Sequence, residues 1–230
     1  MKLIFASTQV FLLIFGLLPR ITHAEDPVNL VVFFSDDLGR LDTSIHGSVD
    51  AKTPTMERLA ADGMVFENAY VASPSCCPNR YSFLTGLMPA RHGAHPNHTK
   101  PKEGTKYLTT LLKEMGYRVA SFGKVGHGRM HFPGGDHFSF QPEDMHENVI
   151  PYFEKNDIEG PVCLLVGDRR PHVSWSVEST YDPDEVTLPS FLIDTPETRE
   201  HWARYLTDVS GMDTEMGLIY DFAKEKFGSN

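Results

Sequence analysis

Val28-Asn29-Leu30-Val31-Val32-Phe33-Phe34-Ser35-Asp36-Asp37-Leu38-Gly39 is the stretch whose reading decides the fold class of this chain. Its first seven residues form a near-continuous apolar run, interrupted only by Asn29 and rich in β-branched and aromatic side chains. That pattern predicts a strand buried on both faces, as in a parallel sheet covered by helices. The run ends in two adjacent carboxylates, Asp36 and Asp37, at the C-terminal end of a strand, where open α/β sheets place their ligands. Paired acids there suit a hard divalent cation. A solvated turn closed by an Asx cap is the plainer alternative, and both readings stand on these residues alone.

Downstream, Thr53-Pro54-Thr55-Met56-Glu57-Arg58-Leu59-Ala60-Ala61-Asp62-Gly63 has a Thr cap, Pro at the first helical position and a terminal Gly, so it predicts a short helix. Met64 to Val71 reads as a strand, followed by Ser75-Cys76-Cys77-Pro78-Asn79-Arg80-Tyr81-Ser82-Phe83-Leu84-Thr85-Gly86. Pro78 biases Cys77 away from helix, which predicts a bend at Cys76 and a helix from about Asn79. Cys76 then sits at a helix N-terminus, where amides and dipole favour negative charge, either a thiolate or a bound anion, and Arg80 adds to that preference. Two buried core cysteines, or half of an accidental disulfide, is the alternative for such a pair.

Met88 to Thr105, rich in Pro, Gly and His, is expected as an exposed loop over this turn, with His92, His95 and His98 either lining the pocket or merely solvated. It contains the sequon Asn97-His98-Thr99. Lys106 to Met115 predicts an amphipathic helix stopped by Gly116, then a strand over Tyr117 to Phe122 and the loop Gly123-Lys124-Val125-Gly126-His127-Gly128. That loop reads as an oxyanion cradle and not as a nucleotide P-loop, because Val125 replaces the Ser or Thr that would hold magnesium. His127, His131 and His137 match no standard zinc spacing. Residues 129–160 are expected to be irregular. Pro161 to Gly167 predicts another buried strand, with Cys163 in the core. It feeds Asp168-Arg169-Arg170-Pro171-His172, which repeats the layout of charged residues at a strand end and suggests one shared anionic pocket. Glu197 to Phe227 predicts a long helix with Trp202, Tyr205, Leu206, Val209, Met216, Ile219 and Ala223 on its core face. Strands alternating with helices, without repeats, predict a mostly parallel α/β sheet flanked by helices.

The 230 residues can bury a full core, and a net charge of -10 with dispersed Lys and Arg argues against a nucleic-acid binder. Residues 1–24 read as a signal peptide, with Lys2, an apolar stretch from Leu3 to Leu18 and a cleavage site at Thr22-His23-Ala24. The expected mature chain, residues 25–230, is secreted or periplasmic without stable membrane insertion. Three cysteines, Cys76, Cys77 and Cys163, define no disulfide framework.

Taken together, these loops resemble the type I sulfatases of the alkaline-phosphatase superfamily. Cys76-Cys77-Pro78-Asn79-Arg80 with Leu84-Thr85-Gly86 is similar to the family pattern C-x-P-x-R-x-x-x-L-T-G. Asp36-Asp37 resembles the family's metal pair, Gly116 through Lys124 and His127 its second signature, and Arg170-Pro171-His172 its sulfate-binding loop. The Lys-x-x-His spacing is similar to the iduronate-sulfatase-like branch. The resemblance implies a sulfuric ester hydrolase acting on a sulfated carbohydrate or another sulfate ester. Cys76 would be converted to formylglycine by a formylglycine-generating enzyme, and its hydrated aldehyde would be the nucleophile. Asp36, Asp37 and position 76 would hold calcium, or magnesium in its place. Arg80 would steady the hydrate, Lys124 and His172 would bind sulfate, and His127 would accept a proton.

Asn79 stands where the family commonly has Ser. The family also has a later strand ending in Asp followed by Asn or His, and a second Lys downstream, which nothing here matches. The resemblance therefore implies the N-terminal portion of such a catalytic domain, an alkaline-phosphatase-like fold incomplete at its C-terminus. An inactive fragment or pseudoenzyme that binds anion or metal, and a phosphoesterase of the same superfamily, are the alternatives.

Overall fold

The computed structural model describes residues 27–127, 146–156 and 159–228, together with the backbone of 137–139. The expected leader at residues 1–24 and His131 lie outside the described residues. The described strands form one parallel sheet, β1 (Leu30–Phe34), β2 (Arg118–Gly123), β3 (His137–Ser139) and β4 (Val162–Gly167), in the order β1-β4-β2-β3. The α/β architecture with a parallel sheet is therefore as expected. β4 is buried at every position, because it has a strand on each edge and helices over each face.

Alternation along β4 divides the core. Cys163 and Leu165 face Cys77, Tyr81 and Leu84 of α2 (Cys76–Thr85) and Leu112 of α4 (Leu108–Glu114). Leu164 and Val166 face Val149 and Phe153 of α5 (His146–Lys155) and Ile219 of α6 (Pro196–Phe227). The spacing Cys77, Tyr81, Leu84 is one helical stripe, so α2 is anchored from behind while its first turn stays at the sheet's C-terminal end. α6 also ties remote segments together. Buried Asp213 accepts from the amides of Thr55 (2.8 Å) and Met56 (2.9 Å), capping α1 (Pro54–Asp62) from outside that helix. Thr53, the expected local cap, makes no cap bond because its hydroxyl is engaged by Ser44.

Four expectations are corrected. β1 is only partly buried, with Val31 40% exposed, because it lies at the edge of the described sheet and not at its centre. Met64 to Val71 is not a strand. Its side chains are exposed, Tyr70 at 89%, and no strand of the sheet pairs with it; apolar composition without a pairing edge or a covering helix makes no strand. α2 begins at Cys76 and not Asn79, since Pro78 falls in the first turn, where the missing N–H costs nothing. Residues 129–160 are not wholly irregular: β3 and α5 lie there, α5 held by the core contacts of Val149 and Phe153 despite Pro151.

The register places the sheet's C-terminal end in one plane. Phe34 pairs with Gly167, and Gly167 with Gly123, so the loops after β1, β4 and β2 leave side by side. Their backbones are joined as they leave: Asp168 N–H donates to Phe34 O (2.9 Å), Lys124 N–H to Gly167 O (2.6 Å) and Asp36 N–H to Arg170 O (3.1 Å).

Candidate active site

The loop after β1, the segment before Cys76 and the first turn of α2 build one open pocket of about 890 Å³, lined in part by Asp36, Asp37, Cys76, Asn79 and Arg80. At its base Asp36, 3% exposed, is shared by two cations. Arg80 Nη2 donates to Asp36 Oδ1 at 3.0 Å, and Lys124 Nζ donates to Asp36 Oδ2. The guanidinium of Arg80, itself 5% exposed, also donates to Ser35 O at 3.1 Å and to Lys124 O. One planar fork thus ties α2 to the ends of β1 and β2. Burial alone would push the Asp36 carboxyl up, but the hydrogen bond and charge of Lys124 and the charge of Arg80 outweigh it and hold it below the usual carboxylate range.

Asp37 is the outward carboxylate, held at φ 62°, a left-handed conformation uncommon outside glycine. Its Oδ1 lies 4.0 Å from Cys76 Sγ, and its Oδ2 lies 3.7 Å from His172 Nε2. Asp36, Asp37 and Cys76 each offer a ligand atom, all within 4.8 Å of one another. Two carboxylates fit a hard divalent cation, and each Asp36 oxygen keeps a lone pair beyond its hydrogen bond. A thiol is too soft for such an ion, so the set fits only with an oxygen at position 76.

Cys76 is not the activated thiolate that its helix-terminal place suggested. Partial burial and the Asp36 carboxylate push its thiol pKa up, and Lys124 opposes them without prevailing. Burial first, and then the carboxylates beside the sulfur, favour the neutral thiol over the thiolate.

The remaining candidates are distributed less evenly. His127 packs against exposed His98, Nε2 to Nδ1 at 2.8 Å, and its Nδ1 is buried with no partner among the described residues. Burial and the neighbouring His98 hold the His127 ring pKa down. Arg170 is not a pocket residue: it is bound by Asp168, 1% exposed, with Nε 3.1 Å from Oδ1 and Nη2 2.7 Å from Oδ2, and it approaches Glu215. Arg169 donates to Val173 O. Of that loop, His172 is the member whose side chain approaches an acid-pair carboxylate, that of Asp37. The loop after α2 is also less open than expected. It contains α3 (Pro89–His92), and His92 is fully buried, its Nδ1 accepting from Ala94 N–H so that Nε2 faces Pro78 O at 3.2 Å as donor. His92 braces α2 from beneath and does not line the pocket.

Three contributors escaped the sequence reading. Gly167 must lack a side chain, since a Cβ there would lie 2.1 Å from the carbonyl carbon of Lys124. Asp168, expected as part of a shared anionic pocket, is a buried anchor for Arg170. Asn79 Oδ1 accepts from Ala72 N–H at 3.1 Å, fastening the segment before Cys76 to α2. A Gly at a strand end facing a Gly-Lys turn was the available signal for the first; the others depend on contacts that no local pattern carries.

Comparison with known proteins agrees with this geometry. The Sulfatase family model matches residues 28–134, which hold Asp36, Asp37, Cys76, Arg80, Lys124 and His127. The N-acetylgalactosamine-6-sulfatase of Homo sapiens is 32% identical, covering 88% of this chain and 48% of that protein. The ulvan-active sulfatase of Formosa agariphila is 32% identical over 109 residues, 47% of this chain and 22% of that protein. The chain thus spans at most about half the length of these relatives. In fold, the phosphonate monoester hydrolase of Agrobacterium radiobacter superposes with a TM-score of 0.73 at 16% identity, covering 86% of this chain and 60% of that one. With Asp36, Asp37, Cys76, Arg80, Lys124 and His127 all inside the match, residues 28–134 of this chain belong to the sulfatase family.

Proposed function

We propose that this chain is the N-terminal part of the catalytic domain of a secreted or periplasmic sulfuric ester hydrolase that releases sulfate from a sulfated glycan. The observation that carries the reading is the convergence of Asp36, Asp37, Cys76 and Arg80 on a single pocket, with Lys124 reaching Asp36 from the end of β2. The relatives named as sulfatases of N-acetylgalactosamine and ulvan support a sulfated carbohydrate as substrate. The spacing of Lys124 and His127 supports the iduronate-sulfatase-like branch.

Formylglycine at position 76 and a calcium ion on Asp36 and Asp37 supply, respectively, an oxygen nucleophile toward sulfur and positive charge beside it. The raised thiol pKa supports a precursor role, since a protonated thiol between carboxylates is a poor nucleophile. Arg80 holds Asp36 in place and lends positive charge to a site that must accept an anion. Lys124, whose ammonium lies on Asp36, is the cation nearest the acid pair that retains some solvent access, at 11%, and it binds sulfate oxygens together with His172. His127, kept neutral by burial and by His98, takes up a proton at one ring nitrogen.

Co-expression with a formylglycine-generating enzyme, mass spectrometry of the peptide containing Cys76, and a sulfate-release assay on a sulfated galactosamine test the reading. Conversion of the thiol to the aldehyde with release of sulfate is expected. An intact thiol, or hydrolysis of a phosphate ester in preference to the sulfate ester, overturns it.

A further inference from the structure

The first turn of α2 carries position 76, yet its own cap residue does not cap it. Ser75 has the extended backbone of an N-cap, φ -149° and ψ 139°, but its side chain accepts no amide of the helix. Its hydroxyl instead donates to Asn97 Oδ1 at 2.8 Å, and the same oxygen accepts the N–H of Cys77 at 3.1 Å. The Cys77 N–H can only donate, so the Asn97 atom that receives it is the oxygen, and the Ser75 hydroxyl donates to the same atom. With Pro78 lacking an N–H, Cys77 is the amide of that turn most in need of an acceptor. The acceptor comes from a loop twenty residues later in sequence.

The neighbours of Asn97 act on the same turn. Thr99 O accepts the Cys77 thiol at 3.3 Å, and His98 meets His127 at 2.8 Å. Three consecutive residues therefore contact both the start of α2 and His127 after β2, and Asn97 contacts the turn that carries position 76.

We propose that Asn97 is a positioning residue, the surrogate N-cap of α2, which fixes the direction of the side chain at position 76. Without it the Cys77 amide has no acceptor, Ser75 is released, and the first turn frays, carrying position 76 away from Asp37. The positioning of a nucleophile rests on the reading given under Proposed function; the capping of α2 does not.

The test uses the full chain with Asn97→Ala and with Asn97→Asp, which keeps the acceptor oxygen. In the unconverted protein, amide exchange at Cys77 is expected to accelerate roughly 2- to 30-fold in Asn97→Ala, the range of a lost helix cap, with β4 amides unchanged and Asn97→Asp close to wild type. In the converted protein, kcat for sulfate release is expected to fall roughly tenfold or more in Asn97→Ala with little change in KM, and to recover in Asn97→Asp, because a displaced nucleophile is costly. Unchanged Cys77 exchange in Asn97→Ala overturns the proposal, as does equal loss in both variants. Should Asn97→Ala not fold, Asn97→Leu, which keeps the side-chain shape and removes the acceptor oxygen, takes its place with the same directions expected. If wild type releases no sulfate, the function fails while the exchange measurement still decides the cap.

Discussion

Replacing Asp36 by Asn removes the one negative charge that two buried cations share. Asp36 is 3% exposed, Arg80 5% and Lys124 11%, so water can replace little of what is lost. Removing one partner from a buried charged network typically costs about 3–5 kcal/mol, because the surviving charge is left without compensation. Here the lower end is expected. Arg80 keeps the carbonyls of Ser35 and Lys124, and Lys124 can swing toward solvent. A loss of about 3 kcal/mol in a chain of this size lowers Tm by roughly 6–12 °C. Urea unfolding at neutral pH measures it, with Lys124→Met and the double variant completing a cycle. Lys124→Met should be less damaging, or even favourable, once Asp36 is Asn, because it then removes an unpaired cation. An Asp36→Asn cost below about 1 kcal/mol, or independent effects of the two substitutions, would refute the argument that Asp36 holds the site together.

Other consequences are as direct. His92 is buried and neutral, its ring pKa held down by burial, so the unfolded chain takes up a proton on it at higher pH than the folded one. Stability from this group is complete above the ordinary histidine value and fades as pH falls below about 6.5; His92→Gln should flatten that decline in pH-dependent urea melts. Gly167→Ala places a methyl group against the Lys124 backbone and should cost about 1–3 kcal/mol by thermal unfolding, with sulfate release lost more steeply than stability. Asp213→Ala exposes the Thr55 and Met56 amides of α1 to an empty acceptor site and should cost about 2 kcal/mol while leaving the Cys76 thiol as unreactive toward iodoacetamide as in wild type.

Much of this protein was legible in its sequence by itself, because local rules act over local distances. The apolar run ending in Asp36-Asp37, the Gly-stopped helices, the all-apolar β4 and the cysteine motif each carry their own signal, through side-chain period, cap chemistry or fixed spacing. These were enough for a parallel α/β sheet and for Asp36, Asp37, Cys76, Arg80, Lys124 and His172 near one another. Local rules failed where the deciding partner is distant. Met64–Val71 has strand composition but no edge to pair with, and α5 is a helix because Val149 and Phe153 meet a core built by other segments. Only the tertiary structure decided which charges face the pocket and which serve the frame: Arg170 is consumed by Asp168, His92 is a brace, and the Cys76 thiol pKa is pushed up by burial and by the carboxylates beside it. It also decided that Asn97, in sequence no more than part of a sequon, supplies the acceptor for the helix that bears position 76. Hydrogen bonds and charge pairs act through space, and the strand register that brings Phe34, Gly167 and Gly123 level is what places those residues within each other's reach.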